Sequence, residues 1–124
     1  MTCCRAEHPE ELTEQLGYLR EVAAETGDDA GRLIVSYQVT LNIGDSEERA
    51  RAAFGEYIVK YYPELSKAMN LSNWGPVGTP EQIIERLREM NDLGMTYTIV
   101  YFAEAAYDHS GIELFAKEVV PALA

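Results

Sequence analysis

The spacing of apolar residues along the chain changes several times, and each change marks an element. From Pro9 to Thr26, Leu12, Leu16, Leu19 and Ala23 fall on one helical stripe. Pro9 suits a first turn and Gly27 a stop, which predicts a helix over 9–26 and a loop over 27–31. Strict alternation follows. Leu33, Val35, Tyr37, Val39, Leu41 and Ile43 face one way, and Ile34, Ser36, Gln38, Thr40 and Asn42 the other. This pattern predicts a strand over 32–43 whose second face turns polar toward its C-terminal end.

Asp45, with Glu48 three residues on, is expected to cap the next helix. Ala50, Ala53, Phe54, Tyr57 and Ile58 supply its apolar face, and a short helix over 63–69 follows. The segment 70–78 reads as irregular. Thr79-Pro80-Glu81-Gln82 is a strong helix start, and Ile83, Ile84, Leu87 and Met90 give the buried stripe up to Gly94. A second strand is expected over 95–103. Ser110 with Glu113 then opens a last helix carrying Ile112, Phe115, Val119 and Leu123.

Two strands joined through helices are expected to be parallel. Two parallel strands leave two unpaired edges, and something must pair them. The chain is therefore expected to be an α/β single domain over 1–124, with residues 1–8 frayed, two parallel strands and about five helices. The edges are expected to be paired by a second copy of this chain, by another chain or by the missing part of a longer sequence, with self-association into a homo-oligomer the expectation for the chain by itself.

The formal net charge of −11 over 124 residues argues against nucleic acid or an anionic membrane as partner. No apolar run reaches the roughly 20 residues of a membrane span, and no leader pattern opens the sequence, so a cytoplasmic location is the expectation. Cys3 and Cys4 have no His or Cys partner at metal-ligand spacing, so no metal site is expected, and they read as reduced thiols near a terminus.

Three segments carry a resemblance. Tyr37-Gln38-Val39-Thr40-Leu41-Asn42-Ile43-Gly44-Asp45-Ser46-Glu47-Glu48, then Gly75-Pro76-Val77-Gly78-Thr79-Pro80-Glu81-Gln82-Ile83-Ile84-Glu85-Arg86-Leu87, and finally Glu113 to Leu123 resemble, in this order, the last part of luciferase-like monooxygenases. The resemblance implies the C-terminal part of a (β/α)8 TIM-type barrel, with the early strands missing. It also implies FMN or F420 as cofactor and oxidoreductase or monooxygenase chemistry.

Ligands of such barrels sit at the C-terminal ends of the strands. Gln38, Thr40 and Asn42 are candidates to line a pocket there, against the plainer reading of a solvated polar face. Trp74 is a candidate pocket wall or a loop anchor. Gly78 and Thr79 are candidates to meet a phosphate at a helix N-terminus, or simply to cap it. His109, just past the second strand, is the weak candidate for a catalytic base, and His8 ranks below it. Tyr57, Tyr61 and Tyr62 read as core and interface by their helical spacing, with a stacking platform as the alternative. Beside the enzymatic reading stand an inactive partial barrel and a small-molecule binding module.

Overall fold

Of the apolar face expected for the first strand, Val35, Tyr37, Val39, Leu41 and Ile43 are buried, whereas Leu33 is exposed and precedes the strand, which starts at Val35. The computed structural model describes residues 2–4, 9–68 and 76–124. In chain order the elements are β1 (Thr2–Cys4), α1 (Pro9–Thr26), a single 3-10 turn (Ala30–Arg32), β2 (Val35–Thr40) and β3 (Asn42–Ile43). Then come α2 (Glu47–Tyr61), α3 (Pro63–Ala68), β4 (Val77–Gly78), α4 (Pro80–Asp92) and β5 (Tyr97–Tyr101). The last helix is one run of α5 (Ser110–Leu114), a π-helical turn (Phe115–Val119) and α6 (Val120–Leu123). The architecture is thus α/β, with parallel strand pairing and several helices.

The expectation of two strands is corrected. The described residues form a three-stranded sheet in the order β1-β2-β5 and a separate two-stranded pair, β3-β4. Thr2–Cys4, expected to be frayed, runs parallel to β2 in the register Thr2↔Val35, Cys3↔Ser36 and Cys4↔Tyr37. The predicted strand over 32–43 splits because its donors change partner. The Leu41 N–H donates to the Tyr101 carbonyl at 2.9 Å, and the next N–H, of Asn42, donates to Pro76 at 3.2 Å. The second strand is shorter than expected because the chain turns at Phe102, whose carbonyl accepts the Ala105 N–H at 3.2 Å.

The contacts divide the chain into two compact units. The first holds residues 1–38 and 89–99. In it, α1 buries Leu12, Leu16 and Ala23, and stops with Gly27 at φ 76°. The N–H of Asp28 returns to Ala23 at 2.9 Å, and that of Gly27 to Ala24 at 3.4 Å. This paired closure satisfies carbonyls that the last turn leaves without donors. The end of α4 repeats it: Gly94 has φ 104°, Met95 donates to Met90 at 3.1 Å, and Gly94 donates to Asn91 at 2.9 Å. The side chains of Met90 and Met95 are both buried, as this motif favours.

The second unit holds residues 39–88 and 100–124. Here β3 and β4 are parallel, with Asn42 opposite Val77 and Ile43 opposite Gly78. The predicted Asp45 cap is corrected: Ser46 is the N-cap, its Oγ accepting the Arg49 N–H at 3.2 Å. The extended backbone at Ser46 places its hydroxyl over the first turn, while the Asp45 carboxylate pairs with the Arg49 guanidinium at 2.7 Å. Of the expected apolar face of α2, Ala50, Phe54 and Ile58 are buried, Tyr57 is half-buried and Ala53 is exposed. In the last helix Val119 is buried, whereas Ile112 and Leu123, expected on the buried stripe, are exposed. Asp108, rather than Ser110 with Glu113, engages that helix start: its Oδ1 accepts the Ser110 N–H at 2.9 Å.

Candidate functional site

The predicted site residues begin on the polar face of β2. Gln38, in the first unit, is exposed. In the second unit Thr40 is half-buried and Asn42 buried. The β3-β4 pair brings Asn42 alongside the start of α4, and the Gly44 N–H donates to the Gly78 carbonyl at 3.0 Å. Asn42, Gly78 and Thr79 are thus gathered in one place. Trp74 and His8 lie outside the described residues. His109 is exposed, and its side chain caps nothing at the start of the last helix.

The α4 start is a complete capping box, as its sequence predicts. The Thr79 N–H donates to Gln82 Oε1 at 3.0 Å, and the Gln82 N–H donates to Thr79 Oγ1 at 3.4 Å. Gln82 Nε2 donates onward to Glu47 Oε2 at 2.8 Å, and Arg51 holds Glu47 Oε1 at 3.0 Å. These hydrogen bonds, that of Gln82 foremost, hold the Glu47 carboxyl below its ordinary range. A Cβ at position 78 would collide with the Gln82 amide and push that side chain out of its place in the capping box. Thr79 already uses its N–H and its hydroxyl for capping, and no Lys or Arg occurs between residues 70 and 85. This donor set does not fit a phosphate.

One grouping went unread in the sequence, and a second was read only in part. The first follows β5, where the Glu104 carbonyl accepts N–H groups from Tyr107 at 2.8 Å and Asp108 at 2.9 Å. This tight turn tucks the Glu104 side chain against Gly111, where a Cβ would strike its carboxylate. Glu104 Oε2 is buried without a hydrogen-bond partner. Burial pushes the Glu104 carboxyl up, and the nearby Asp108 charge adds to this. Asp108 moves the other way, lowered by its hydrogen bonds from Ser110. A single carboxylate within the run Phe102-Ala103-Glu104-Ala105-Ala106 was the available signal.

The second grouping is aromatic. The ring of Tyr57 lies 4.7 Å from that of Tyr61 and 6.1 Å from that of Tyr62, both tilted. Tyr107, from the turn after β5, stacks on Tyr61 at 5.0 Å with the planes 12° apart. Tyr61 and Tyr62 are exposed rather than core residues, and Tyr57 is half-buried. The expected core placement is corrected for Tyr61 and Tyr62: the rings of Tyr57, Tyr61 and Tyr62 cluster near the surface, with a fourth ring, Tyr107, that spacing along one helix could not reveal.

Among the described residues no group of three or more His, Cys, Asp or Glu side chains could hold a metal ion. Nor is any described helix long and apolar enough to cross a membrane.

No family model and no curated sequence matches the chain. Solved structures do. One is an F420-dependent secondary alcohol dehydrogenase in complex with an F420–acetone adduct, with a TM-score of 0.71 and 16% identity over 100% of this chain and 42% of that one. Another is a riboflavin lyase with modified FMN and riboflavin, with a TM-score of 0.69 and 15% identity over 98% of this chain and 37% of that one. A third is a monooxygenase from Streptomyces bottropensis, with a TM-score of 0.66 and 16% identity over 98% of this chain and 41% of that one. The chain spans about two-fifths of the length of each of these proteins. At such identity the likeness shows the fold alone: this chain shares it with part of each of these proteins.

Proposed function

We propose that the chain is the C-terminal portion of a (β/α)8-type oxidoreductase or monooxygenase that works with F420 or FMN. One observation carries this reading. Essentially the whole chain superimposes on enzymes that hold F420 or flavin, yet it accounts for only about two-fifths of them. When bound, such a cofactor supplies the hydride or oxygen chemistry, and the protein supplies placement.

The residues proposed to face the ligand are Gln38, Thr40 and Asn42 at the end of β2 and in β3, with Trp74 as a wall. A half-buried hydroxyl at Thr40 and an amide at Asn42 suit the polar rim of a flavin or deazaflavin ring, which both accepts and donates hydrogen bonds. Gly78 and Thr79 are assigned to shaping the rim, since their polar groups are committed to the strand pair and the capping box. His109 is the candidate proton carrier, by its exposed position after β5. The reading predicts a cytoplasmic protein with a small-molecule ligand. Titration of the purified chain with F420 and with FMN, followed by absorbance and fluorescence, tests it. Saturable spectral change with either cofactor is expected, and its absence with both would remove the reading for this chain.

A second reading is favoured by β5. Its Tyr97 and Tyr101 are 49% and 53% exposed, unusual for a strand of the sequence Tyr-Thr-Ile-Val-Tyr. A partial barrel that self-associates through such an edge needs no catalysis. Sedimentation separates the two: this second reading requires a concentration-dependent homo-oligomer, and a stable monomer would count against it.

A further inference from the structure

We propose that the stacked Tyr61–Tyr107 pair is a docking platform for the planar ring system of an anionic, flavin-class ligand. This rests on the cofactor reading above and assigns that ligand a contact outside the strand ends. Tyr61 is the last residue of α2, and Tyr107 comes from the turn that follows β5. Their rings are 5.0 Å apart and within 12° of parallel. Tyr107 uses one face on Tyr61 and still remains 70% exposed, so its second face is open. Tyr57 also contacts Tyr61, ring to ring at 4.7 Å and tilted. The turn at Tyr107 is pinned by its N–H, which donates to Glu104 at 2.8 Å. Both rings are thus held by contacts within the chain, which lowers the ordering cost of stacking on them.

The occupant follows from shape and charge. A flat, open aromatic face selects a flat conjugated ring, which gains offset stacking in addition to burial. Lys60 Nζ lies 5.0 Å from the Tyr61 centroid and places a cation on the platform. It favours a ligand bearing phosphate or carboxylate, in a chain whose net charge of −11 otherwise repels anions.

The test uses the full chain with three probes: FMN, F420 and riboflavin, the last having the flavin ring without the phosphate. An electron-rich phenol in contact with an excited flavin quenches its emission, so stacking has its own optical signature. Wild type is expected to quench bound FMN and riboflavin. Tyr107→Leu should weaken FMN by about ten-fold or more and relieve the quenching, as loss of one stacking partner does elsewhere. Tyr107→Phe, which keeps the ring, should bind close to wild type. Lys60→Gln should weaken FMN roughly three-fold at low salt and leave riboflavin unchanged. Circular dichroism of each variant confirms folding. If Tyr107→Leu binds and quenches as wild type does, the platform is overturned while the cofactor reading stands. If wild type binds none of the three probes, both fall together.

Discussion

β2 and β5 are both short apolar strands, and the fold treats them differently. Val35, Ser36, Tyr37 and Val39 of β2 are buried, on both of its faces. No residue of β5 is buried, and Tyr97, Thr98 and Tyr101 are exposed. The strand order explains the contrast: β2 has a neighbour on each side, and β5 stands at the margin. A strand in the interior is specified by packing, whereas a marginal strand keeps apolar residues that its own chain does not cover. The chain thus covers one strand on both faces and leaves the other exposed.

Removing buried volume next to β2 should have the largest effect on this contrast. Leu41 is fully buried, and Leu41→Ala should cost about 2–5 kcal/mol of unfolding free energy, read by denaturant titration. A loss under 1 kcal/mol would show that the central strand is not as tightly packed as its burial indicates. Next in size comes the capping box of α4. Thr79→Ala removes the hydroxyl that accepts the Gln82 N–H and should cost about 1 kcal/mol.

The turn after β5 gives a test in pH. Burial raises the Glu104 carboxyl above its ordinary 4.5. A raised acid stabilises the fold fully below its unfolded value, and this contribution is lost as pH rises through the folded value. Glu104→Gln cannot ionise, so it should melt higher than wild type at neutral pH and lose that advantage below pH ~4. Parallel melting temperatures of the two proteins across this range would refute the assignment. The smallest effect is expected on β5 itself. Tyr101→Thr, at a 53% exposed position, should change monomer stability by no more than about 0.5 kcal/mol. If β5 is an association edge, the same change should shift the sedimentation profile toward monomer.

Local chemistry was the legible part. The ends of α1, the Thr79–Gln82 box, the glycine stops and the buried face of β2 each depend on residues within a turn or a few positions. What stayed hidden depends on distant partners. β1 has only three residues, too few for a period, and exists through its register with β2. Asp45 and Ser46 are equally good caps by residue type, and the backbone angle at Ser46 decides between them. At the site, the polar residues from Gln38 to Asn42 were visible, but their division into exposed, half-buried and buried was not. Glu104 looked like any surface acid because its burial depends on Gly111 seven positions away. Tyr107 was missed because its partner belongs to another element.

The π-helical turn in the last helix sets how that helix is phased. The Val120 N–H reaches back five residues to the Phe115 carbonyl, so the backbone there holds one residue more than an α-helical turn would. Each α-helical residue rotates the chain by about 100°. Deleting one residue between Phe115 and Glu118 would restore regular winding and swing Val119, now fully buried, relative to the α5 turn. The extra residue acts as a phase adjuster, letting two successive stretches of one helix address different neighbours.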